Sequence, residues 1–322
     1  MVDNKYYSQT NGNNWQGRID GEDADSLRWH QIVDCKFLPE VTDLKNSISI
    51  LGFACHEGVK RNKGRIGAID GPTEIRKVLA NLPVHFNENL KLTDVGDIFC
   101  TDGNLVEAQK QLANSVYLLL KNGAFPVLLG GGHEITYGHF CGLRKFTQQK
   151  IGIINIDAHF DNRTTINGIP TSGTGFYQIY KDSVEQGFDF EYLALGIQTI
   201  SNTKALFKSA DLNNTKYILA EDFKSENLNS IKTQVNDFIN NVEFIYLTID
   251  LDAFAAPFAP GVSALAFNGL IPDGLFFSIF NEIINSQKLF SVDIAELNPK
   301  FDIDNRTAKL AADLIFKILQ KR

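Results

Sequence analysis

Eight short runs of almost uninterrupted apolar residues constrain this chain's fold more than any other feature. They are SISILGFA (47–54), LKLTDV (90–95), FPVLLG (125–130), IGIINI (151–156), EYLALG (191–196), KYILA (216–220), FIYLTI (244–249) and LFSVDI (289–294). A strand with one face in water alternates apolar and polar residues, whereas a strand covered on both faces does not need to. Between the runs lie amphipathic segments such as PTEIRKVLANL, with Pro72 suited to a first helical turn, and NLVEAQKQLANSVYLLLKNG, stopped by Gly123. This alternation, without a linker or an internal repeat, predicts a single doubly wound α/β domain: an eight-stranded, mostly parallel sheet with helices on both faces. Residues 1–30, polar and rich in Asn, Gly and Asp, read as an N-terminal arm wrapping the surface of a domain spanning 31–322.

Charge and composition exclude several classes of function. The net charge of −7 is spread over interspersed acidic and basic residues, so no basic stripe for nucleic acid is expected. The N-terminus has no apolar h-region, and no run approaches the roughly 18 apolar residues of a membrane span. Cys35, Cys55, Cys100 and Cys141 lie far apart and read as reduced thiols. A soluble, cytoplasmic protein is the expectation.

Chemistry concentrates where three of the runs end. FPVLLG leads into GGHE, IGIINI into DAHFD, and FIYLTI into DLD. Open parallel sheets bind ligands beyond the carboxyl ends of their strands. Adjacent strand ends would therefore gather His133, Asp157, His159, Asp161, Asp250 and Asp252 in one crevice. In an extended chain Asp157, His159, Asp161 and Arg163 would also share one face. So much charge requires compensation, by one divalent cation or by two sharing carboxylates. Nitrogen and oxygen donors without thiolate point to Mn2+ over structural zinc, although Fe2+, Co2+ or Zn2+ fit the same donors.

Each piece has an ordinary structural reading: a DxD after a strand commonly caps a helix, and glycines at a strand end commonly serve a turn. Three ligand types at alternate positions, repeated at three strand ends, are harder to reconcile with packing. GGGHE is neither a Walker loop nor GxGxxG, and GxSxG is absent. His139, six residues beyond His133 in an expected helix, reads as a packing residue or a support for a ligand. His30, His56 and His85 have no ligand-like context.

GGGHE (130–134), DAHFD (157–161) and TIDLD (248–252), in this order and spacing, resemble the hallmarks of the arginase/agmatinase (ureohydrolase) family of binuclear manganese enzymes. Within it, WQGRIDGEDADSLRWHQ (15–31), GVKRNKGRIGAIDGP (58–72), SGTGFYQI (172–179), GIQTISNTKALF (196–207) and APGVSALA (259–266) are similar to the branch that hydrolyses N-formimidoyl-L-glutamate to L-glutamate and formamide in histidine degradation. The resemblance implies two Mn2+ ions per subunit. His133, Asp157, Asp161 and Asp250 would hold one and Asp157, His159, Asp250 and Asp252 the other. It also implies that Glu296 holds the amidine end of the substrate. From the chemistry such a site performs, Asp161 is expected to shuttle a proton to the leaving amine.

A substrate with two carboxylates calls for cations, and Arg61, Arg65 and Arg163 are the expected ones, ahead of Lys60 and Lys63. Two departures from arginases fit this branch: Phe176 where they carry a histidine, and Ala255 where they carry an aspartate. Gly175 replaces a proline of the branch, which predicts a less rigid loop. Another ureohydrolase, such as an agmatinase or guanidino-acid hydrolase, and a non-catalytic metal-binding relative remain alternatives. Family members form trimers or hexamers, so a homo-oligomer is implied without its size.

Overall fold

The computed structural model describes residues 2–10 and 12–322. The eight apolar runs form strands, joined by two short pairings that they do not announce. In chain order the strands are β1 (Tyr7–Ser8), β2 (Asp34–Cys35), β3 (Ser47–Ala54), β4 (Lys91–Phe99), β5 (Phe125–Gly130), β6 (Ile151–Ile156), β7 (Glu191–Ile197), β8 (Lys216–Leu219), β9 (Phe244–Asp250) and β10 (Leu289–Ala295). They build one sheet in the order β1-β4-β3-β5-β10-β9-β6-β7-β8, with β2 beside β4. Among the described strands of this sheet, only the β1–β4 pairing is antiparallel.

The uninterrupted apolar pattern follows from two cores. Ile48, Ile50, Leu247, Ile249, Val292 and Ile294 point into one core, beneath the helices Gly71–Leu79, Leu228–Asn240, Gly274–Ile284 and Arg306–Leu319. Leu51, Phe53, Ile151, Ile153 and Tyr246 point into the other, beneath Leu105–Lys121, Ile135–Phe146, Gly175–Gln186 and Lys204–Leu212. Burying each such aliphatic side chain contributes about 1.5–3 kcal/mol. A polar residue facing either core therefore needs a partner, which makes the few polar residues inside these strands informative.

β4 continues past the apolar run to Phe99 through an irregularity at Gly96 (φ +88). A Cβ there would meet the Ser8 carbonyl oxygen at 2.2 Å, so glycine lets the N-terminal segment approach closely. That segment is anchored by the Trp15 indole, which donates to Asp94 Oδ2 at 2.7 Å. Asp94 in turn pairs with the fully buried Arg76 guanidinium at 2.8 Å, and Arg76 reaches Asp97 at 2.6 Å.

The chain passes from β5 to β6 across a gap that β9 and β10 later fill. The four central neighbours β5, β10, β9 and β6 consequently end side by side. Ile156 is level with Ile249, and Ala295 with Asp250. Asp157, Asp250 and Glu296 thus leave the sheet at one edge. Among the described residues no helix is long and apolar enough to cross a membrane.

Candidate metal centre

His133 follows β5 by three residues, Asp157 follows β6 directly, Asp250 ends β9, and Glu296 follows β10. The extended alternation expected beyond Asp157 does not hold, because β6 stops at Ile156 and the chain bends, with Asp161 in the left-handed region (φ +43). The bend still turns His159 and Asp161 toward Asp157. Glu296 is likewise left-handed (φ +69). Strained backbone of this kind persists where the surroundings over-determine it, as at functional sites.

Two donor groups result, sharing Asp157. The first is His133, Asp157, Asp161 and Asp250, and the second Asp157, His159 and Asp252, with the donor atoms of each within 4.8 Å of one another. An ion with bonds of about 2.1 Å spans donors up to about 4.2 Å apart, and the imidazole–carboxylate separations of 2.9 to 3.6 Å in the two groups fall inside that span. The resemblance implies that Asp250 bridges as well. In this geometry its Oδ2 faces His133 Nδ1 at 3.2 Å while its Oδ1 accepts the Asp252 N–H at 2.8 Å, and it joins the first group alone.

The contacts within these groups do not balance without a cation. His133 Nδ1 lies 3.2, 2.9 and 3.2 Å from oxygens of Asp157, Asp161 and Asp250. One ring nitrogen offers at most one hydrogen to those three oxygens. Asp252 Oδ1 and Glu296 Oε2 are buried with no hydrogen-bond partner. The titration shifts agree. Burial lowers the His133 pKa, but Asp157, Asp161 and Asp250 together hold it well above the usual range. His159 behaves likewise through Asp252 and Asp157. Burial pushes Asp250 up, reinforced by Asp252 and Asp157, and it pushes Asp252 up too. Glu296 is pushed up to about 8 by burial, with Glu134 and Asp252 adding to it. The carboxylates outnumber the imidazoles, and divalent cations would supply the missing charge. The N,O donor set without thiolate suits Mn2+.

The site floors a cleft of about 340 Å³ lined by His159, Asp161, Asp250, Asp252 and Glu296, and by Asn62, Lys63, Arg65, Arg163, Ser172, Ser201 and Ser263. A separate cavity of about 390 Å³, lined among others by Gln198, Glu221, Asn268 and Asp273, holds none of the convergent donors. Of the three expected arginines, two reach the cleft. Arg163 is exposed there and carries no ion-pair partner among the described residues. Arg65 is half committed: it donates to the Val262 and Ser263 carbonyls and stacks 4.1 Å above Phe301. Arg61 does not line the cleft. It closes the short helix Glu57–Arg61, and its guanidinium is spent on Glu57 (3.1 Å), the Pro170 carbonyl (3.1 Å) and the Gly103 carbonyl (2.7 Å). Lys63, left-handed at φ +63, stands in the cleft instead.

Phe176 packs edge-on against His133 with ring centroids 5.7 Å apart and stacks on Tyr192. Gly175 begins the helix Gly175–Gln186 at φ −57, an ordinary helical angle. Its role is space, since a Cβ would meet Thr136 Oγ1 at 2.2 Å. The turn before it is held by reciprocal Thr171 and Thr174 hydrogen bonds.

Supporting residues escape the motif reading. Asn155 donates to Asp157 Oδ2 at 3.0 Å, and Thr248 meets His133 Nε2 at 3.0 Å. Both sit two residues before a donor aspartate on the same strand face, a signal that the alternation could have exposed. Glu134 accepts from the Gly58 N–H at 2.9 Å and from the Cys55 thiol at 3.3 Å, tying the GGGHE turn to the helix before the cleft loop. Burial pushes its pKa up to about 7.

A sequence model of the Arginase family matches residues 46–320. The formimidoylglutamase of Rhodococcus jostii (strain RHA1) is 41% identical over 317 residues, covering 96% of this chain and 95% of that protein. That of Chromobacterium violaceum is 42% identical over 306 residues, covering 94% and 96%. Among solved structures, a Trypanosoma cruzi formiminoglutamase with Mn2+ superposes with a TM-score of 0.76 at 25% identity, covering 88% of this chain and 95% of that one. The Bacillus subtilis formimidoylglutamase reaches a TM-score of 0.80 at 22% identity, covering 94% of each, which speaks to the fold.

Proposed function

Since this chain belongs to the arginase family, we propose that it hydrolyses N-formimidoyl-L-glutamate to L-glutamate and formamide, a step of histidine degradation. The observation that carries this reading is the shared aspartate Asp157, buried beneath a cleft whose cations Lys63, Arg65 and Arg163 have no acidic partner among the described residues. The floor suits the activation of water, and the rim suits a substrate with two carboxylates.

The first donor group would hold one Mn2+ and the second the other, with Asp157 between them. Bound there, the ions supply Lewis acidity, making water a competent nucleophile near neutral pH. Glu296 receives the amidine: its Oε1 is held by the His133 N–H at 2.8 Å, and its buried Oε2 awaits a donor. Amidine nitrogens satisfy it through charge-assisted hydrogen bonds, fixing the formimino carbon above the site. Water adds to that carbon, and the C–N bond to glutamate breaks. The glutamate nitrogen must leave as an amine, so a proton has to reach it. Asp161 carries that proton. Its Oδ2 faces His133, and its side chain borders the cleft, leaving the other oxygen for the transfer. The products balance the substrate plus one water.

At the rim, Arg163 binds one substrate carboxylate and Arg65 assists, with Lys63 taking the place expected of Arg61. Charge-assisted hydrogen bonds contribute about 1.5–3 kcal/mol, so Arg163→Ala should raise KM for formimidoylglutamate roughly 10- to 100-fold with little change in kcat. Steady-state kinetics of the variant tests this, and an unchanged KM would remove Arg163 from the site. Arginine, with one carboxylate, and agmatine, with none, should be poor substrates of the wild type in the same assay. We further propose that the protein acts in the cytoplasm on this small-molecule substrate, as a homo-oligomer with neither nucleic acid nor membrane as partner.

A further inference from the structure

Behind His133 lies a second polar cluster that the reaction above does not use. On one face of the sheet β9 contributes Tyr246 and Thr248, β10 contributes Ser291 and Asp293, and His139 covers them from the helix Ile135–Phe146. All five are fully buried. Polar groups at that depth persist only when paired, and here a hydrogen count settles who donates to whom.

The Pro126 carbonyl can only accept, so Ser291 spends its hydrogen there at 3.1 Å and accepts from His139 Nε2 at 2.7 Å. One hydrogen must also lie between His139 Nδ1 and Asp293 Oδ2, 2.6 Å apart, and the same oxygen takes the Tyr246 hydroxyl, so Asp293 Oδ1 carries no hydrogen of its own. Asp293 Oδ1 takes the single hydrogen of Thr248 at 2.6 Å. With its hydrogen spent, Thr248 Oγ1 can only accept from His133 Nε2 at 3.0 Å. The reverse arrangement would leave two oxygens 2.6 Å apart with no hydrogen between them. Nε2 of His133 therefore carries the hydrogen. Its Nδ1 is left to present a lone pair toward Asp157, Asp161 and Asp250.

We propose that His139, Asp293 and Thr248 form a positioning chain that fixes the tautomer and ring orientation of His133, and through it the metal affinity of the first donor group. This rests on the metal-centre reading of that group. Partners behind a metal-bound histidine typically change metal affinity 10- to 100-fold.

The test is a Mn2+ titration of chelated, dialysed protein, with free Mn2+ read by electron paramagnetic resonance and folding checked by near-UV circular dichroism. Wild type should bind two ions. Thr248→Val keeps the shape and removes the acceptor, and should weaken one of the two sites about 10- to 100-fold while sparing the other. Thr248→Ser should restore the affinity, which a purely steric role would not predict. In Asp293→Asn, Tyr246 and His139 would keep the amide oxygen on their side and turn its NH2 toward Thr248. The Thr248 hydroxyl would then donate to His133 Nε2, the wrong tautomer for binding through Nδ1, and the loss should be at least as large. If Asp293→Asn fails to fold, the two Thr248 variants decide. Wild-type affinity at both sites in Thr248→Val would overturn the chain's role. A wild type binding fewer than two ions would overturn the metal centre itself, and with it the proposal.

Discussion

Asp161→Asn is expected to lower kcat for formimidoylglutamate by about 10²- to 10⁴-fold, the range over which a positioned acid–base group acts. The change preserves size and one oxygen, so the amide still faces His133 Nδ1, 2.9 Å away in the parent. What it removes is a negative charge and the ability to receive and release a proton. Water addition and departure of the glutamate amine both require that transfer, so the loss should fall on kcat more than on KM. Measuring bound Mn2+ beside turnover separates the two roles: a variant that holds metal and remains slow identifies the proton carrier. Near-wild-type turnover with metal bound would assign the transfer to another group.

Asp157→Asn is expected to be more damaging, because this one carboxylate stands in both donor groups. It is fully buried between two imidazoles, which hold its pKa below the carboxylate range against the opposing effect of burial. An amide in its place withdraws one charge from both ions together. Loss of a partner one bond further out costs about 10- to 100-fold in affinity, so loss of the shared ligand should exceed that and leave no measurable turnover. The effect should also appear as stability. An ion present at about 100 times its Kd contributes about 2.7 kcal/mol to folding, so Mn2+ should raise the wild-type melting temperature and fail to raise that of the variant. A variant retaining two ions and the full thermal shift would show that Asp157 is not shared.

The eight long strands are legible because burial on both faces imposes an apolar run that few other structures require. The two-residue pairings at Tyr7–Ser8 and Asp34–Cys35 are too short to carry any period. The donor residues are legible for a related reason, since strand ends are where a parallel sheet can present polar groups together. The alternation rule singles out Asp157, His159 and Asp161, which the structure gathers through a bend instead of an extended strand. Arg61 illustrates the opposite case. Its charge invites a substrate role, yet Glu57 lies four residues earlier on the same helical turn and claims it, a pairing visible in the sequence. Thr248 and Asn155 carry one signal, their place two residues before a donor aspartate, but a single polar residue inside an apolar run resembles noise until its partner is known.

A binuclear metal site that cleaves a formimino group should lose its turnover with its ions. Release of glutamate and formamide from N-formimidoyl-L-glutamate, followed before chelation, after chelation and after return of Mn2+, decides whether this cleft is one. Both products should form in equal amounts, cease once two ions per chain are removed, and resume when Mn2+ is restored. Turnover that survives complete metal removal, or none by protein carrying two ions, would contradict it.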